Sequence, residues 1–228
     1  MPLDMKVSEF MTPREQLIVG DKNISLKVAN DVIWDNKLNA LPVVDEDDHL
    51  INVIRTNGDD DIVLATAFGY AICFNENDVR CMGRDAAGVR GIMLTDGDYV
   101  VGAEKAEEGK TLLTVTQNGY GKRTALTEYL RTGPNGEKQA QSRGGKGLKN
   151  YNITPKTGNV AGCRVVGEND DVMLIENGGV IIRIPASSIN VYKRDVQGVI
   201  VMRIDEGNQV VSLERVEKMD EEESGEQA

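Results

Sequence analysis

The chain repeats one sequence unit, and this repetition limits the possible folds more than any other feature. The segment "DDIVLATAFGYAICFNENDVRCMGRDAAGVRGIMLTDGDYVVGAE" from Asp60 aligns without a gap with the segment from Asp170. Several glycines and one arginine coincide: Gly69 with Gly179, Arg84 with Arg194, Gly88 with Gly198, and Gly97 with Gly207. Repeats of this kind indicate stacked copies of one small structural unit.

A third copy lies between these two. Gly119 matches Gly69 at an offset of 50 residues, and Gly147 matches Gly88 at an offset of 59 residues. The middle copy therefore carries about nine extra residues, near "TGPNGEKQA". A period of this length with several short strands is typical of propeller blades. The alternative is an ordinary β-sandwich with accidental internal similarity.

Each copy predicts four strands, because short runs rich in Val and Ile alternate with Gly turns. The predicted first strands are 62–66, 112–116 and 172–175, and the second are 70–74, 121–125 and 180–184. The predicted third strands are 89–94, 148–153 and 199–204, and the fourth are 99–103, 160–165 and 209–213. We therefore expect a mainly β fold, a partial β-pinwheel or propeller of about three four-stranded blades.

Composition excludes several classes of protein. The three cysteines form no CxxC pair and His49 is the only histidine, so we expect no metal site and no disulfide framework, in a reduced, cytoplasmic protein. No apolar run is long enough to cross a membrane, and we expect no membrane partner. The formal net charge is −11, but residues 117–151 hold seven Lys and Arg against two acids, a local charge of +5. Binding follows local potential, so a polyanionic partner is not excluded.

A segment of cations and glycines precedes the predicted third strand of every copy. These segments read "GRDAAGVRG", "QSRGGKGLK" and "KRDVQGVIV". Glycine permits close backbone approach, exposed amides can form an anion nest, and Arg or Lys adds charge-assisted bonds to phosphate. The pattern favours sequence-tolerant binding to a phosphate backbone. The candidate DNA-binding residues are Gln141, Arg143, Gly144, Gly145, Lys146, Gly147, Lys149, Lys122, Arg123, Arg84, Arg90 and Arg194.

These same stretches resemble the C-terminal domain of the DNA gyrase A protein. The likeness covers about residues 50–216 and includes "TVTQNGYGKRTALTEY" and "QSRGGKGLKNYNIT". The family's domain is a six-bladed β-pinwheel that bends DNA around a basic rim, and its signature box is Q-R-R-G-G-K-G. Ser142 stands where the box has its first arginine, and the box lies in the second of three copies here rather than in the first of six blades.

The resemblance implies sequence-tolerant binding and bending or wrapping of double-stranded DNA, in support of supercoiling by a type II topoisomerase. The implied partners are the rest of gyrase A and the gyrase B protein. The family's breakage-reunion region, which carries the cleavage tyrosine, is absent from this sequence. The tyrosines read as strand and turn residues, so we expect no catalytic residues and no cofactor in this chain.

The first 49 residues do not follow the repeat. Ser25 can cap a helix with apolar residues at Val28, Val32, Ile33 and Trp34, and Pro42 then opens a strand. Residues 6–49 resemble one CBS motif of bacterial IMP dehydrogenase, which predicts a small α/β segment. Since the family's motifs bind adenine or guanine nucleotides in pairs, nucleotide sensing by this single motif is an alternative function. An inert chimeric fragment is a third.

The division predicted from the sequence is a CBS-like segment (1–49), gyrase-like blades (50–216) and an acidic, disordered tail (217–228). The tail could compete with DNA for the basic residues, or it could only increase solubility. Three blades cannot close a six-bladed ring. We therefore expect an open blade edge that pairs with the N-terminal segment or with a second chain, giving a possible homodimer.

Overall fold

The computed structural model describes residues 26–35, 40–44, 50–82 and 88–216. These residues form one helix and fifteen strands, mostly antiparallel. Helix α1 spans Leu26–Asp35. The strands in chain order are β1 Ala40–Val44, β2 Leu50–Arg55, β3 Asp61–Thr66, β4 Tyr70–Asn75, β5 Val100–Lys105, β6 Thr111–Thr116, β7 Tyr120–Ala125, β8 Arg131–Thr132, β9 Lys138–Gln139, β10 Leu148–Lys149, β11 Val160–Val166, β12 Asp171–Glu176, β13 Ile181–Pro185, β14 Val199–Ile200 and β15 Val210–Val216. Short 3-10 turns follow β4, β7 and β13, at Glu76–Asp78, Leu126–Tyr129 and Ala186–Ser188.

The strands form three main sheets, one for each sequence copy. Sheet one has the order β10-β4-β3-β5, sheet two β11-β6-β7-β14, and sheet three β13-β12-β15. Two hairpins, β1-β2 and β8-β9, complete the described strands, and the second lies in the nine-residue insertion of the middle copy. The mainly β fold class predicted from the sequence is confirmed, and so are the first, second and fourth strands of each copy.

The three sheets share cores because central strands such as β3 and β6 are buried on both faces. Along β3, Ile62 and Leu64 pack in one cluster of sheet one, whereas Val63 and Ala65 face a second cluster that includes Leu112 of sheet two. This alternation follows from the two-residue period of a strand. A third cluster joins sheets two and three. Each fully buried aliphatic side chain contributes roughly 1.5–3 kcal/mol relative to an exposed one.

The N-terminal part forms the predicted helix and strand, with small differences in extent. Strand β1 begins at Ala40, two residues before Pro42. Within the described part of the chain it pairs only with β2, which fits the preference of proline for edge strands. The Asn52 side chain donates a hydrogen bond to the Ala103 carbonyl at 2.6 Å, and Ile54 packs in the core of sheet one. The predicted cap at Ser25 and the acidic tail at 217–228 lie outside the described residues.

Candidate nucleic-acid interface

The third strand of a copy belongs to the sheet of the preceding copy. Strand β10, from the middle copy, pairs with β4 of sheet one through Leu148↔Ala71. Strand β14, from the last copy, pairs with β7 of sheet two through Val199↔Gly121. The sequence interpretation placed each third strand within its own blade, and this assignment is wrong. The regular part is also shorter than predicted, since it covers only two residues in each of these two copies. The third strand predicted at 89–94 in the first copy is wrong, because these residues form no strand.

We call residues 88–93, 147–152 and 198–203 the donor segments, because they are equivalent in the three copies. Two of them dock on the preceding sheet in the same way. The backbone amides of Asn150 and Tyr151 donate to the carbonyl of Gly69, at 2.7 and 3.0 Å. At the second junction, where the donor segment 198–203 docks on sheet two, the amides of Val201 and Met202 donate to the carbonyl of Gly119. Gly69 and Gly119, the turn glycines of the first two copies, therefore each receive the strand of the following copy.

One arginine per junction ties neighbouring donor segments together. The Arg143 guanidinium donates from Nη1 to the carbonyl of Arg90 at 2.5 Å. The equivalent Arg194 donates from Nη1 to the carbonyl of Lys149 at 3.1 Å. The sequence alignment superimposes Arg143 on Arg194, and Arg90 on Lys149. The same contact thus occurs twice, and it brings the cations of successive copies next to one another.

We call Arg90, Arg143, Lys146, Lys149 and Arg194 the cation row. Three of them, Arg90, Lys146 and Lys149, are exposed, and the other two are half-buried. The Lys146 ammonium lies 4.7 Å from the ring centroid of Tyr70. The Lys149 ammonium donates to the Asn152 side chain at 3.1 Å. None of the five has a carboxylate ion-pair partner among the described residues.

Three predicted site residues lie in the interior instead. Gln141 is buried, and its side-chain amide donates to the carbonyl of Tyr129 at 2.8 Å. Arg123 is also buried, where its Nε donates to the carbonyl of Ile189 and its Nη1 pairs with Glu168 at 2.7 Å. Lys122 is fully buried. The expectation that these side chains lie on a phosphate-binding surface is therefore corrected.

The buried Lys122 ammonium binds backbone carbonyls of the last copy. It donates to the carbonyls of Lys193 and Arg194 and lies 5.3 Å from the ring centroid of Tyr151. Burial lowers the pKa of Lys122 from 10.5 to about 7. The side chain thus holds the loop of the last copy against sheet two. The alignment contains a signal for this burial, since apolar residues, Ile72 and Ile182, occupy the same place in the other two copies.

The glycines of the predicted box pack against protein. A Cβ added to Gly147, which has φ +75°, would lie 2.4 Å from the carbonyl oxygen of Ala71. The backbone amide of Gly144 donates to the Gly91 carbonyl at 2.7 Å, and the Gly145 carbonyl accepts from Met93. The expectation of an anion nest at this box is corrected for the Gly144 amide, which donates to the neighbouring donor segment, and it stays a prediction for the amides of Gly145 and Gly147. Arg84 lies outside the described residues.

Sequence reasoning missed the aromatic residues beside the cations. Tyr70 lies under Lys146, and the equivalent Tyr120 lies 5.4 Å from the Lys156 ammonium. Both tyrosines directly follow a turn glycine, at an offset of 50 residues, and this coincidence was the available signal. The described residues contain no cluster of acidic, Cys and His side chains that could hold a metal ion. Their one helix is too short to cross a bilayer.

Comparison with known proteins agrees with this architecture. The profile of one protein family, described as "DNA gyrase C-terminal domain, beta-propeller", matches residues 60–107, 110–138, 139–167 and 170–217. The DNA gyrase A protein of Staphylococcus epidermidis is 41% identical over 178 residues, which are 77% of this chain and 19% of that protein. The DNA gyrase A protein of Escherichia coli strain K12 is 41% identical over 184 residues, 80% of this chain and 20% of that protein. The chain thus spans about a fifth of the length of these relatives.

Two solved structures superimpose on a large part of this chain. The C-terminal domain of a DNA topoisomerase IV superimposes with a TM-score of 0.67 at 28% identity, covering 75% of this chain and 51% of that one. A DNA gyrase A C-terminal domain superimposes with a TM-score of 0.66 at 26% identity, covering 76% and 56%. Because the profile matches more than half of the chain, the chain belongs to the DNA gyrase C-terminal domain family of β-propellers.

Proposed function

We propose that the chain binds double-stranded DNA without sequence preference along the cation row and bends it, as the C-terminal part of a gyrase A-type protein. The observation that carries the proposal is the repeated arginine contact. It places cations from three sequence copies side by side, on segments that follow one another around the sheets. A duplex that contacts successive copies would have to curve with them.

The chemistry of the row suits phosphate better than base edges. All five members are Lys or Arg, which recognise phosphate by charge-assisted bonds. Arg143 and Arg194 each donate from Nη1 to a backbone carbonyl, and Arg143 also donates from Nε to the Asp78 carbonyl at 3.1 Å. These bonds hold each guanidinium in place and leave other N–H donors available. If all five cations neutralise phosphates, log Kobs should fall with log salt concentration with a slope of about −4.5.

A salt titration with matched variants tests the proposal. Fluorescence anisotropy with a labelled duplex would compare the parent with Lys146→Ala/Lys149→Ala and with the control Lys105→Ala/Lys110→Ala. Lys105 ends β5, at the opposite edge of sheet one from β10. We expect the first variant to reduce the magnitude of the salt slope by about two, and the control to leave it almost unchanged. Equal slopes for the two double variants would contradict the proposal.

Bending requires its own measurement. The distance between the ends of a doubly labelled duplex, followed by energy transfer, should shorten when the chain binds. Binding with an unchanged end-to-end distance would retain the DNA-binding proposal and remove the bending proposal. Association with gyrase B and with the rest of gyrase A is proposed on family membership alone.

The nucleotide-sensing alternative stays a prediction. The described part of the CBS-like segment consists of α1 and β1, and β1 pairs with β2, which packs on sheet one through Ile54. Nothing in these residues favours a nucleotide site over a packing role.

A further inference from the structure

The three sheets differ at one edge. In sheets one and two, the second strand of the copy is covered by a donated strand, β10 or β14. In sheet three, the equivalent strand β13 has only β12 beside it among the described residues. Its side chains are correspondingly exposed: Ile181 is 56% exposed, whereas Ala71, which holds the same place in sheet one, is fully buried.

The space around the turn glycines differs between the three sheets in the same way. A Cβ added to Gly69 would lie 2.7 Å from the Tyr151 carbonyl oxygen, and one added to Gly119 would lie 2.0 Å from the Met202 carbonyl oxygen. A Cβ added to the equivalent Gly179 would meet nothing within 4 Å. The backbone of the Gly179 turn is otherwise the same, with φ +91° against +80° and +77°. The third acceptor is therefore formed but unfilled by the described residues.

The chain also holds one donor segment that has no acceptor sheet in the described residues. Residues 88–93 are equivalent to the two docked donors, and Gly88 shares their positive φ, +77° against +75° and +74°. The core residue of each donor has the same role, since Ile92, Tyr151 and Met202 are all buried. On the outer side of the first donor, Met93 is 47% exposed and Val89 is 37% exposed, the same fraction as the equivalent Val199 of a docked donor.

We propose that the donor segment 88–93 of a second copy adds to the free edge of β13, in the register Val89↔Ile181 and Arg90↔Val180. This register follows from the two internal junctions, Leu148↔Ala71 with Lys149↔Tyr70, and Val199↔Gly121 with Ile200↔Tyr120. In the new junction, the amides of Gly91 and Ile92 donate to the Gly179 carbonyl. Strand addition satisfies edge hydrogen bonds and covers the exposed apolar side chains on both sides.

The assembly that satisfies both edges of each chain is a reciprocal dimer. Each copy brings one donor and one acceptor that the described residues leave unfilled, so two copies form two equivalent junctions and close the assembly. The proposal does not depend on DNA binding.

Sedimentation velocity decides whether the dimer forms. We expect the parent to sediment as a dimer at micromolar concentration, and Ile181→Lys to shift it at least tenfold toward monomer, because a lysine opposes strand addition at an edge. The control is Val211→Lys on β15, where the side chain is similarly exposed at 51%. A monomeric parent at about 100 µM, or equal effects of the two lysines, would overturn the proposal.

Cysteine cross-linking tests the register. In a Cys81→Ser background, chains with Val89→Cys are mixed with chains with Ile181→Cys and oxidised. We expect a covalent dimer from the mixture and little from either chain alone. The matched positive control is Leu148→Cys with Ala71→Cys in one chain, which bridges the equivalent internal pair. If the internal pair links and the mixture does not, residues 88–93 are not the occupant of β13.

Discussion

Gly119→Ala is the substitution that tests the strand exchange between copies most directly. Gly119 has φ +77°, and an added Cβ would lie 2.0 Å from the Met202 carbonyl oxygen. Gly179→Ala is the matched control, because its φ is +91° and no atom lies within 4 Å of the added Cβ. Both substitutions strain the backbone, whereas only Gly119→Ala displaces a donated strand.

The magnitudes follow from these two contributions. A residue other than glycine in the left-handed region costs about 1–2 kcal/mol, and both variants bear this cost. Moving the donor away from Gly119 also weakens the bonds from Val201 and Met202 to the Gly119 carbonyl, at about 1 kcal/mol each. We therefore expect Gly119→Ala to lower the free energy of unfolding by about 3–4 kcal/mol, and Gly179→Ala to lower it by about 1–2 kcal/mol.

The assay is urea unfolding, followed by circular dichroism and by tyrosine fluorescence, at a concentration where sedimentation shows monomer. Two probes are needed because sheets of a repeat protein can unfold separately. Losses for the two variants that agree within about 0.5 kcal/mol would refute the reasoning. That result would mean that the docked strand contributes nothing at Gly119 beyond the backbone strain.

Two further predictions concern buried titratable groups. Because the pKa of Lys122 is lowered to about 7, the unfolded chain holds a proton between about pH 7 and 10 that the folded chain has released. The free energy of unfolding should therefore rise with pH in this window, by at most about 1.4 kcal/mol per pH unit, and Lys122→Met should remove the rise. Urea unfolding of parent and variant at pH 7 and 9 checks this, and identical pH dependence would contradict it. Burial raises the pKa of Cys73 and of Cys163 to about 12, so iodoacetamide should label only the exposed Cys81 in the native chain. Mass spectrometry would show one modification before unfolding and three after it, and rapid native labelling of a second cysteine would contradict the buried placement.

Much of the fold could be predicted because its signals are local. Apolar runs such as Ile62–Thr66 favour strands, and glycines such as Gly69 favour turns, wherever these segments lie in the tertiary structure. The three copies then confirm one another. The site was predicted less well, since five of the twelve named residues form the cation row, while Lys122, Arg123 and Gln141 are buried. A polar side chain in a strand is predicted to face solvent unless its packing partners are known.

The sequence by itself determined that this chain has three equivalent units, where most of their strands run, and that glycines and cations recur ahead of each third strand. Only the tertiary structure decided which sheet each third strand joins. Backbone hydrogen bonds are the same for every residue type, so Leu148 and Lys149 could pair within their own unit or with β4. Packing of Tyr151 and Met202 between neighbouring sheets selects the second arrangement. The same choice buries Lys122 and aligns Arg143 and Arg194 beside the next donor segment, which determines the cations that face solvent.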